Sequence, residues 1–528
     1  HRTYTCQLLV HLNLTLSIIT QHDQTSHDRH RFLRVRVSGL SAQQLIHLPI
    51  HHHTVMSSLS MSPTTTLRHE LQEKARRRSP LPSAFSTLLS TSSLSSSKST
   101  SSTMPTTVDT SWCTDEFLAA IPKSDIHVHL DGSLRLETLV ELARDAPNIS
   151  LPTEDIAELR KTIFKPNYNS LEEYLSGFMY TCGVMQTGDN LERVAYEFGI
   201  DNYTENVRYF EVRFAPQLHG SIKENGLSIV NVLERVNKGL LQAQKEFNTV
   251  LRQDQQNGRR TTEPHYAYGI IVCAMRMFFP GMSSYYDALF KLHPHASPSD
   301  LTAMASVNLV QSAKVARDDH GIPVIAIDIA GAEKDNEATI HLEAYRLAHR
   351  YQFAKTVHAG EGYGPESIWQ AIRDLHAERI GHGFHIHSAD KVYDAKNLDD
   401  KGNGETFCNN LIKYVSDRRI TMEVCLTSNL NTMPELTIEQ HALRKMIEGR
   451  LSVTLSTDNR LISNTTMQQE LRLAVHTFGL SPKQLKELVI TGYKRSFYHG
   501  PYTERREYVR KVMDWYDEVA VSFGVPLK

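Results

Sequence analysis

From residue 111 onward, the apolar positions of the chain follow two alternating patterns. Short runs rich in β-branched residues have the length of buried strands, and the stretches between most of them repeat their apolar positions with a helical period of 3.6. Strands that alternate with helices pair in parallel, and eight such units predict an α/β fold of the (β/α)8 barrel type rather than an open, flavodoxin-like sheet. The eight runs are DIHVHL (125–130), VRYFEVRF (207–214), AYGIIVCAM (267–275), PVIAIDIAG (323–331), FAKTVHAG (353–360), RIGHG (379–383), ITMEVCLTSN (420–429) and LSVTLSTDN (451–459).

The composition changes near residue 110. Residues 1–110 contain the stretch STLLSTSSLSSSKSTSSTMPTT (86–107) and a basic cluster at 76–78, with few acidic residues. Such a segment buries too little apolar surface to offset the entropy of ordering, so we expect a disordered Ser- and Arg-rich extension. It is either a targeting segment or upstream sequence that is not native protein. Residues 111–528 then form the barrel domain, which we expect in the cytoplasm, or in an organelle if the extension is a transit peptide.

Charge and cysteine usage exclude several classes of protein. The 528 residues carry a formal net charge of −2, which gives no argument for binding nucleic acid. The six cysteines have no paired spacing and predict no disulfide framework. The sequence has no run of about 18 uncharged apolar residues, so we expect no membrane-spanning helix. We therefore expect a small-molecule partner, with no nucleic acid and no membrane, and a monomer is compatible with the sequence.

Titratable side chains recur where the predicted strands end. His127 and His129 close the first run, His358 the fifth, His382 the sixth and Asp458 the eighth. In a (β/α)8 barrel, these strand ends meet at the face where the active site lies. A buried histidine is more often a satisfied core residue than a ligand, but that reading would have to hold independently for several strands.

The spacing of these groups predicts a metal site. Residues i and i+2 of a strand point to the same face, so His127 and His129 can hold one cation. With His358 and Asp458 they form a set suited to zinc, one ion per chain, with a position left for water that ionises near neutral pH.

Two further residues complete the predicted chemistry. A protonated Glu361 in a dry pocket can donate to a substrate nitrogen. His382 can orient or deprotonate the attacking water, or stabilise developing charge. We expect the neighbouring glycines to allow close approach by the substrate; they are Gly360, Gly362, Gly381 and Gly383.

Seven motifs together resemble the adenosine deaminase family of metal-dependent hydrolases, over the chain from about residue 116 to its end. They are PKSDIHVHLDGSL, EVRFAPQLH, DIAGAE, VHAGEGYGPESIWQAI, RIGHG, TSNL and STDN. The resemblance implies a zinc-dependent reaction of purine salvage, in which water adds to C6 of adenosine or deoxyadenosine and ammonia leaves.

The resemblance also implies roles for individual residues. It gives His127, His129, His358 and Asp458 as zinc ligands. Glu361 would protonate N1 of the purine, and His382 would handle the attacking water. The substrate would be bound by His129, by Asp131 at a ribose hydroxyl, by the Gly331 N–H at N3 and by Asn459 at N7. Asn459 stands where the family often has a second aspartate, and its amide can still donate to N7.

The segment SLEEYLSGFM (170–179) has two readings. Its apolar positions, from Leu171 to Met179, form a helical stripe that would ordinarily face a core. By resemblance, the same helix forms a lid over the nucleoside, with Leu175 and Phe178 as the lid residues.

Three alternatives remain open at this stage. A relative could act on free adenine or on an N6-substituted adenine nucleotide, although Asp131 would repel a 5′-phosphate. A two-metal amide or phosphoester hydrolase on the same barrel would use a lysine on the fourth strand, which PVIAIDIAG lacks. A non-catalytic relative would lack a ligand or the acid. We expect Arg213 and Arg276 to form structural ion pairs. Asp328 is either a site residue or a residue that orients one. We expect a loop insertion at KNLDDKGNGETFCNN (396–410).

Overall fold

The computed structural model describes residues 15–19, 34–38, 109–146, 149–392 and 404–527. The chain divides into two compact units, residues 1–83 and 84–528. In the first unit, strands β1 (Thr15–Ile19) and β2 (Arg34–Ser38) pair antiparallel. The disorder predicted for residues 1–110 concerns mostly residues outside the described part, so it stays a prediction, as does the domain boundary at 110.

Eight parallel strands of the second unit form a sheet in which each strand pairs with its neighbours in chain order. The backbone just beyond the last strand returns to the first, where the N–H of Asp458 donates to the carbonyl of His127 and the N–H of His129 donates to the carbonyl of Asp458. These bonds close the barrel and confirm the predicted (β/α)8 fold. The strands are β3 (Lys123–His129), β4 (Val207–Phe214), β5 (Ala267–Met275), β6 (Val324–Ala330), β7 (Ala354–Ala359), β8 (Arg379–His382), β9 (Thr421–Val424) and β10 (Ser452–Leu455).

Helices alternate with the strands and cover the barrel. The longest, over Ile229–Gln256, begins at Ser228, whose side chain accepts from the N–H of Asn231. Its buried positions, such as Val232, Val236 and Leu240, recur with the helical period. In chain order the helices are α1 (Asp115–Ala120), α2 (Leu136–Asp145), α3 (Ile156–Thr162), α4 (Leu171–Val184), α5 (Gly188–Thr204), α6 (Ile229–Gln256), α7 (Ser284–Leu292), α8 (Pro298–Asp318), α9 (Leu342–Arg350), α10 (Pro365–Arg373), α11 (Gly404–Arg418), α12 (Leu426–Thr432), α13 (Leu443–Glu448), α14 (Met467–Phe478), α15 (Pro482–Arg495) and α16 (Tyr502–Ser522).

One loop prediction was wrong in part. Residues 404–410 of the expected insertion lie on α11, where Cys408 and Leu411 are buried one helical turn apart, and residues 396–403 lie outside the described range. Among the described residues, every helix is too short or too polar to cross a bilayer.

The barrel strands are buried on both faces, so their sequences read as nearly continuous apolar runs. Charged side chains nevertheless interrupt these runs and are buried; they include Asp125, Glu211, Arg213, Asp328 and Glu423. A buried charge needs partners, and some partners of these groups are histidines of the candidate active site.

Candidate active site

The four residues predicted as metal ligands converge at the ends of β3, β7 and β10. One donor atom from each of His127, His129, His358 and Asp458 lies within 4.8 Å of the others. Oδ1 of Asp458 is 3.4 Å from Nε2 of His127 and 3.5 Å from Nε2 of His129. Nε2 of His129 is 3.2 Å from Nε2 of His358. All four residues are buried.

Two residues of the site have a left-handed backbone. His382 has φ = 62° and Asp458 has φ = 59°, in a region that residues other than glycine rarely adopt. At Asp458 the two hydrogen bonds that close the barrel hold this conformation. Strained backbone of this kind, over-determined by its surroundings, is typical of functional sites.

Buried carboxylates orient two of the imidazoles. Nδ1 of His127 lies 2.7 Å from Glu423 and Nδ1 of His358 lies 2.9 Å from Asp328. The Glu423 carboxylate accepts a hydrogen bond from His127, so Nδ1 of His127 carries the ring proton and its Nε2 presents a lone pair toward the cluster. Nδ1 of His358 lies within ion-pair distance of Asp328 but is not aligned for a hydrogen bond. Arg213 joins the two carboxylates, at 2.7 Å from Asp328 and 2.9 Å from Glu423. The expectation of a structural ion pair at Arg213 is thus confirmed.

The charges of the cluster suit a cation. Burial opposes ionisation of Asp458, but the nearby imidazoles of His127, His382 and His129 hold its pKa well below the ordinary value. Burial lowers the pKa of His129 well below its ordinary value, so its imidazole is neutral. Nε2 of His127 is buried without a hydrogen-bond partner among the described residues. Three imidazoles and a carboxylate that converge in this way fit a borderline divalent ion such as zinc.

Glu361 lies beside the cluster with an unusually basic carboxyl group. Burial, reinforced by the charges of Asp458 and Glu333, raises its pKa to about 8. The carboxyl group therefore keeps its proton at neutral pH and can donate it. Its Oε2 is 3.6 Å from Nε2 of His382, and 16% of the side chain is exposed.

A single buried carboxylate, Glu333, organises the loop that carries Glu361. This loop follows β7, and its backbone N–H groups converge on Glu333 because the chain turns tightly there. The Glu333 oxygens accept from the N–H groups of Gly360 (2.8 Å), Glu361 (3.0 Å), Gly362 (2.8 Å) and Tyr363 (3.1 Å) and from the hydroxyl of Ser367.

A chain of hydrogen bonds sets the tautomer of His382. The backbone N–H of Leu443 donates to Nδ1 of His441 (3.0 Å), so Nε2 of that ring carries the proton and donates to Oδ1 of Asn429 (3.1 Å). The Asn429 amide then presents Nδ2 to Nδ1 of His382 at 3.2 Å. Because Nδ1 of His382 accepts, its Nε2 carries the hydrogen.

His382 consequently faces the site as a neutral donor. Burial lowers its pKa well below the ordinary value. Nε2 lies 4.0 Å from Oδ2 of Asp458. Of the roles predicted for this residue, the tautomer favours orienting water or stabilising charge over removing a proton.

The predicted substrate-binding residues lie around the cluster. Asp131 is buried with Oδ1 3.9 Å from Nδ1 of His129. Gly331 follows β6 with φ = 104°, which favours glycine. Asn459 is buried, and its Nδ2 donates to the hydroxyl of Tyr174 at 2.7 Å.

Helix α4 does not present one uniformly core-facing stripe. Tyr174 is buried, Leu175 and Phe178 are half-buried, and Met179 is 62% exposed. The expectation that Met179 faces a core was therefore wrong. The assignment of Leu175 and Phe178 to a lid stays a prediction.

The structure corrects two other expectations, namely that Gly381 leaves room for substrate and that Arg276 forms an ion pair. A Cβ atom at Gly381 would lie 2.9 Å from Cε1 of His127, so the imidazole, rather than substrate, uses the space that glycine leaves. Arg276 forms no carboxylate pair among its hydrogen bonds and donates to the carbonyls of His358 and Asn336, both at 2.6 Å.

Sequence reasoning missed several residues that support the ligands and the acid. Glu423 is a lone carboxylate within an apolar strand run, and this signal was present in ITMEVC. Asp328, which the sequence left open as a site residue or one that orients a site residue, lies 2.9 Å from Nδ1 of His358. Asn429 lies in the TSNL motif, but its orienting role and that of His441 depend on contacts between distant segments. Ser428, whose hydroxyl donates to Oδ2 of Asp458 at 2.6 Å, is similar in this respect.

The chain matches the family model for adenosine deaminase over residues 122–282 and 300–515. It is 34% identical over 394 residues to adenosine deaminase 1 of Streptomyces coelicolor, which covers 74% of this chain and 86% of that protein. Among solved structures, an amidohydrolase from Burkholderia ambifaria with bound zinc aligns with a TM-score of 0.58 and 20% identity, over 78% of this chain and 95% of the other.

Two further structures show the same fold in proteins named for other substrates. The N6-methyl-AMP deaminase of Arabidopsis thaliana aligns with a TM-score of 0.56 and 23% identity, over 76% of this chain and 98% of the other. The adenine deaminase of Arthrobacter aurescens aligns with a TM-score of 0.54 and 19% identity, over 75% of this chain and all of the other. On the family model and the 34% identical relative, this chain belongs to the adenosine deaminase family of hydrolases.

Proposed function

We propose that the chain hydrolyses adenosine and 2′-deoxyadenosine to inosine and deoxyinosine, with release of ammonia and with one zinc ion per chain. The observation that carries the proposal is the convergence of His127, His129, His358 and Asp458 with a protonated Glu361 beside them. Each element has one task in this reaction. The cluster activates water, and the acid makes the ring carbon electrophilic.

A zinc ion in the cluster would lower the pKa of a coordinated water to near neutrality. The residues around it prepare the rest of the reaction. Glu423 holds the tautomer of His127 and Asp328 lies 2.9 Å from Nδ1 of His358, and such outer partners orient ligating imidazoles. The hydroxyl of Ser428 holds Asp458 in place.

Glu361 is the proposed acid toward the purine. A neutral carboxyl group donates its proton to N1, so the N1–C6 bond loses double-bond character as the C–O bond forms at C6. The C6 amino group leaves as ammonia after it takes one proton of the attacking water. The other water proton restores the Glu361 carboxyl group, and the C6–O bond becomes the carbonyl of inosine. The raised pKa of Glu361 keeps the proton available at neutral pH.

His382 is the proposed donor toward the incoming oxygen. Its Nε2–H, set by the chain from Leu443 through Asn429, can orient water on the face of the ring next to Asp458. A fixed donor of this kind stabilises charge that develops in the transition state without reorganising during the reaction.

The nucleoside would lie with its ribose toward His129 and Asp131 and its base toward Gly331 and Asn459. Asp131 is suited to accept from a hydroxyl group. Burial raises its pKa to about 7, and the ionised form of the side chain would repel a 5′-phosphate. Asn459 binds N7 in this arrangement only if its amide turns from Tyr174, because Nδ2 donates there in the structure. Leu175 and Phe178 would cover the base as an apolar lid.

The rival substrates are free adenine and an N6-substituted adenine nucleotide. They stay candidates because an adenine deaminase and an N6-methyl-AMP deaminase have the same fold. Turnover of adenosine, 2′-deoxyadenosine, adenine, AMP and N6-methyl-AMP by the zinc-loaded chain separates them. We expect the nucleosides to be preferred by kcat/KM. A clear preference for AMP, N6-methyl-AMP or adenine would refute the role of Asp131.

An Asp131→Asn variant is the matched test of that role. The amide keeps the size of the side chain but loses the negative charge, so discrimination against AMP relative to adenosine should fall. Turnover measured as a function of zinc content distinguishes the two-metal hydrolase, which needs two ions per chain for activity.

A further inference from the structure

A second group of metal-ligating side chains lies next to the first. Asp131, Cys182 and His219 each present one donor atom, and these atoms all lie within 4.8 Å of one another. Asp131 comes from the loop after β3, Cys182 from α4, and His219 from the chain after β4. None of the three belongs to the His127, His129, His358 and Asp458 cluster. The predicted catalytic metal therefore does not explain why these three side chains converge.

The orientation of His219 is that of a metal ligand. Nδ1 lies 3.1 Å from the carbonyl oxygen of Met185. A carbonyl only accepts, so Nδ1 carries the ring proton and Nε2 presents its lone pair. Nε2 is buried without a hydrogen-bond partner among the described residues. Ligating imidazoles commonly donate their other N–H to a backbone carbonyl in this way.

Asp131 faces this imidazole. Its Oδ2 lies 4.0 Å from Nε2 of His219, its Oδ1 is without a hydrogen-bond partner in the described chain, and the residue is 3% exposed. Nε2 of His219 is the buried acceptor that lacks a donor, and leaving such a group unpaired costs free energy. A cation held by both residues would remove that cost.

The sulfur of Cys182 decides which class of cation fits. The residue is half-buried on α4 and packs against the apolar cluster that contains Ala215 and Leu218. Oxygen-preferring ions such as Mg²⁺ and Ca²⁺ avoid thiolates, whereas zinc accepts sulfur, nitrogen and oxygen together. A carboxylate and a thiolate also balance the two charges of the ion.

We propose that Asp131, Cys182 and His219 form a second, three-ligand site for zinc, open on its fourth side. Zinc bonds of about 2.0–2.3 Å require donor separations of about 3.4–3.7 Å. The 4.0 Å between Nε2 of His219 and Oδ2 of Asp131 exceeds this range by about 0.3 Å, so these two donors would have to move closer to hold an ion.

Occupation of this site would block the substrate. This consequence rests on the proposed function, in which Asp131 accepts from the ribose. An ion on Asp131 would take that position, so zinc in excess of the first equivalent should inhibit competitively with adenosine. The second site would thus make the enzyme sensitive to the level of free zinc.

Cobalt(II) tests the site without reference to the reaction. Sulfur ligation gives cobalt(II) an intense near-ultraviolet charge-transfer absorption, and the catalytic cluster has no cysteine. We expect zinc-loaded enzyme titrated with cobalt(II) to develop this absorption up to one equivalent per chain. The Cys182→Ser variant should lack it, and the matched Cys408→Ser variant, altered at a buried cysteine on α11, should keep it. No absorption in the wild type, or its persistence in Cys182→Ser, would overturn the proposal.

A second variant and a kinetic measurement complete the test. His219→Gln should weaken cobalt binding at least tenfold while thermal unfolding followed by circular dichroism stays cooperative, and unchanged binding would remove His219 from the site. In steady-state assays, excess zinc should raise the KM for adenosine in the wild type but not in Cys182→Ser. Inhibition that is equal in both would refute the blocking of the ribose position. Failure of adenosine turnover itself would refute the proposed function and leave the optical result standing.

Discussion

Replacement of Glu423 by glutamine tests how far the outer carboxylates control the metal site. The Glu423 carboxylate accepts four hydrogen bonds while fully buried. Glutamine keeps the shape of the side chain but has only one acceptor oxygen. Its NH2 group would face donors of neighbouring side chains and could not accept from them. The four bonds come from His127 (2.7 Å), Arg213 (2.9 Å), Arg379 (2.6 Å) and Thr356 (3.0 Å).

Two effects follow from this geometry. The tautomer of His127 loses its anchor, so we expect zinc affinity to fall by about 10–100-fold, which corresponds to about 1.4–2.7 kcal/mol. Arg213 and Arg379 lose a shared counter-charge in the interior, so the free energy of unfolding of the zinc-free chain should fall by about 3–5 kcal/mol.

The assay measures both quantities on the same preparation. Zinc affinity comes from competition with a chromophoric chelator, and stability from urea unfolding of the zinc-free chain. The matched control is Thr356→Val, which removes one neutral donor to the same carboxylate and leaves His127 anchored. It should cost about 1–3 kcal/mol of stability and leave zinc affinity unchanged. A Glu423→Gln variant that folds and binds zinc within twofold of wild type would refute the reasoning.

Three further predictions concern the acid, its loop and the response to pH. Glu361→Gln should keep the fold and the zinc content while kcat falls by on the order of 10²–10⁴-fold, and near-normal turnover would remove Glu361 from the mechanism. Glu333→Gln should lower kcat by about 10²-fold at unchanged zinc content, because a displaced Glu361 loop misaligns the acid, whereas full activity would contradict the positioning role. Burial raises the pKa of Asp328, but the charges of His358 and Arg213 outweigh burial and lower this pKa in the folded chain. The unfolded chain therefore binds more protons as pH falls through about 4, and urea titrations of the zinc-free enzyme should show stability decreasing below about pH 5; an equally steep decrease in Asp328→Asn would contradict this.

The fold could be predicted because its determinants are local and repeated. Each strand run is short, apolar and followed by a helical stripe, and this alternation specifies parallel pairing. The predicted metal ligands could be identified for the same reason. His127 and His129 lie at the end of a strand, and such strand ends meet at the face of the barrel where active sites lie.

What sequence reasoning missed depends on contacts between segments that are distant in the chain. The anchor of His127 is Glu423, 296 residues away, and the loop of Glu361 is held by Glu333, 28 residues away. Periodicity identifies such carboxylates as unusual within an apolar run but does not identify their partners. The exposure of Met179 was also missed, because a helical stripe gives the direction of a side chain and not what covers it.

The central claim is that one zinc ion, held by His127, His129, His358 and Asp458, is required for deamination of adenosine. Stepwise addition of zinc to the metal-free chain, with turnover measured at each step, tests it directly. The account predicts that activity rises linearly and stops rising at one zinc per chain. Activity without metal, or activity that continues to rise up to two ions per chain, would contradict it.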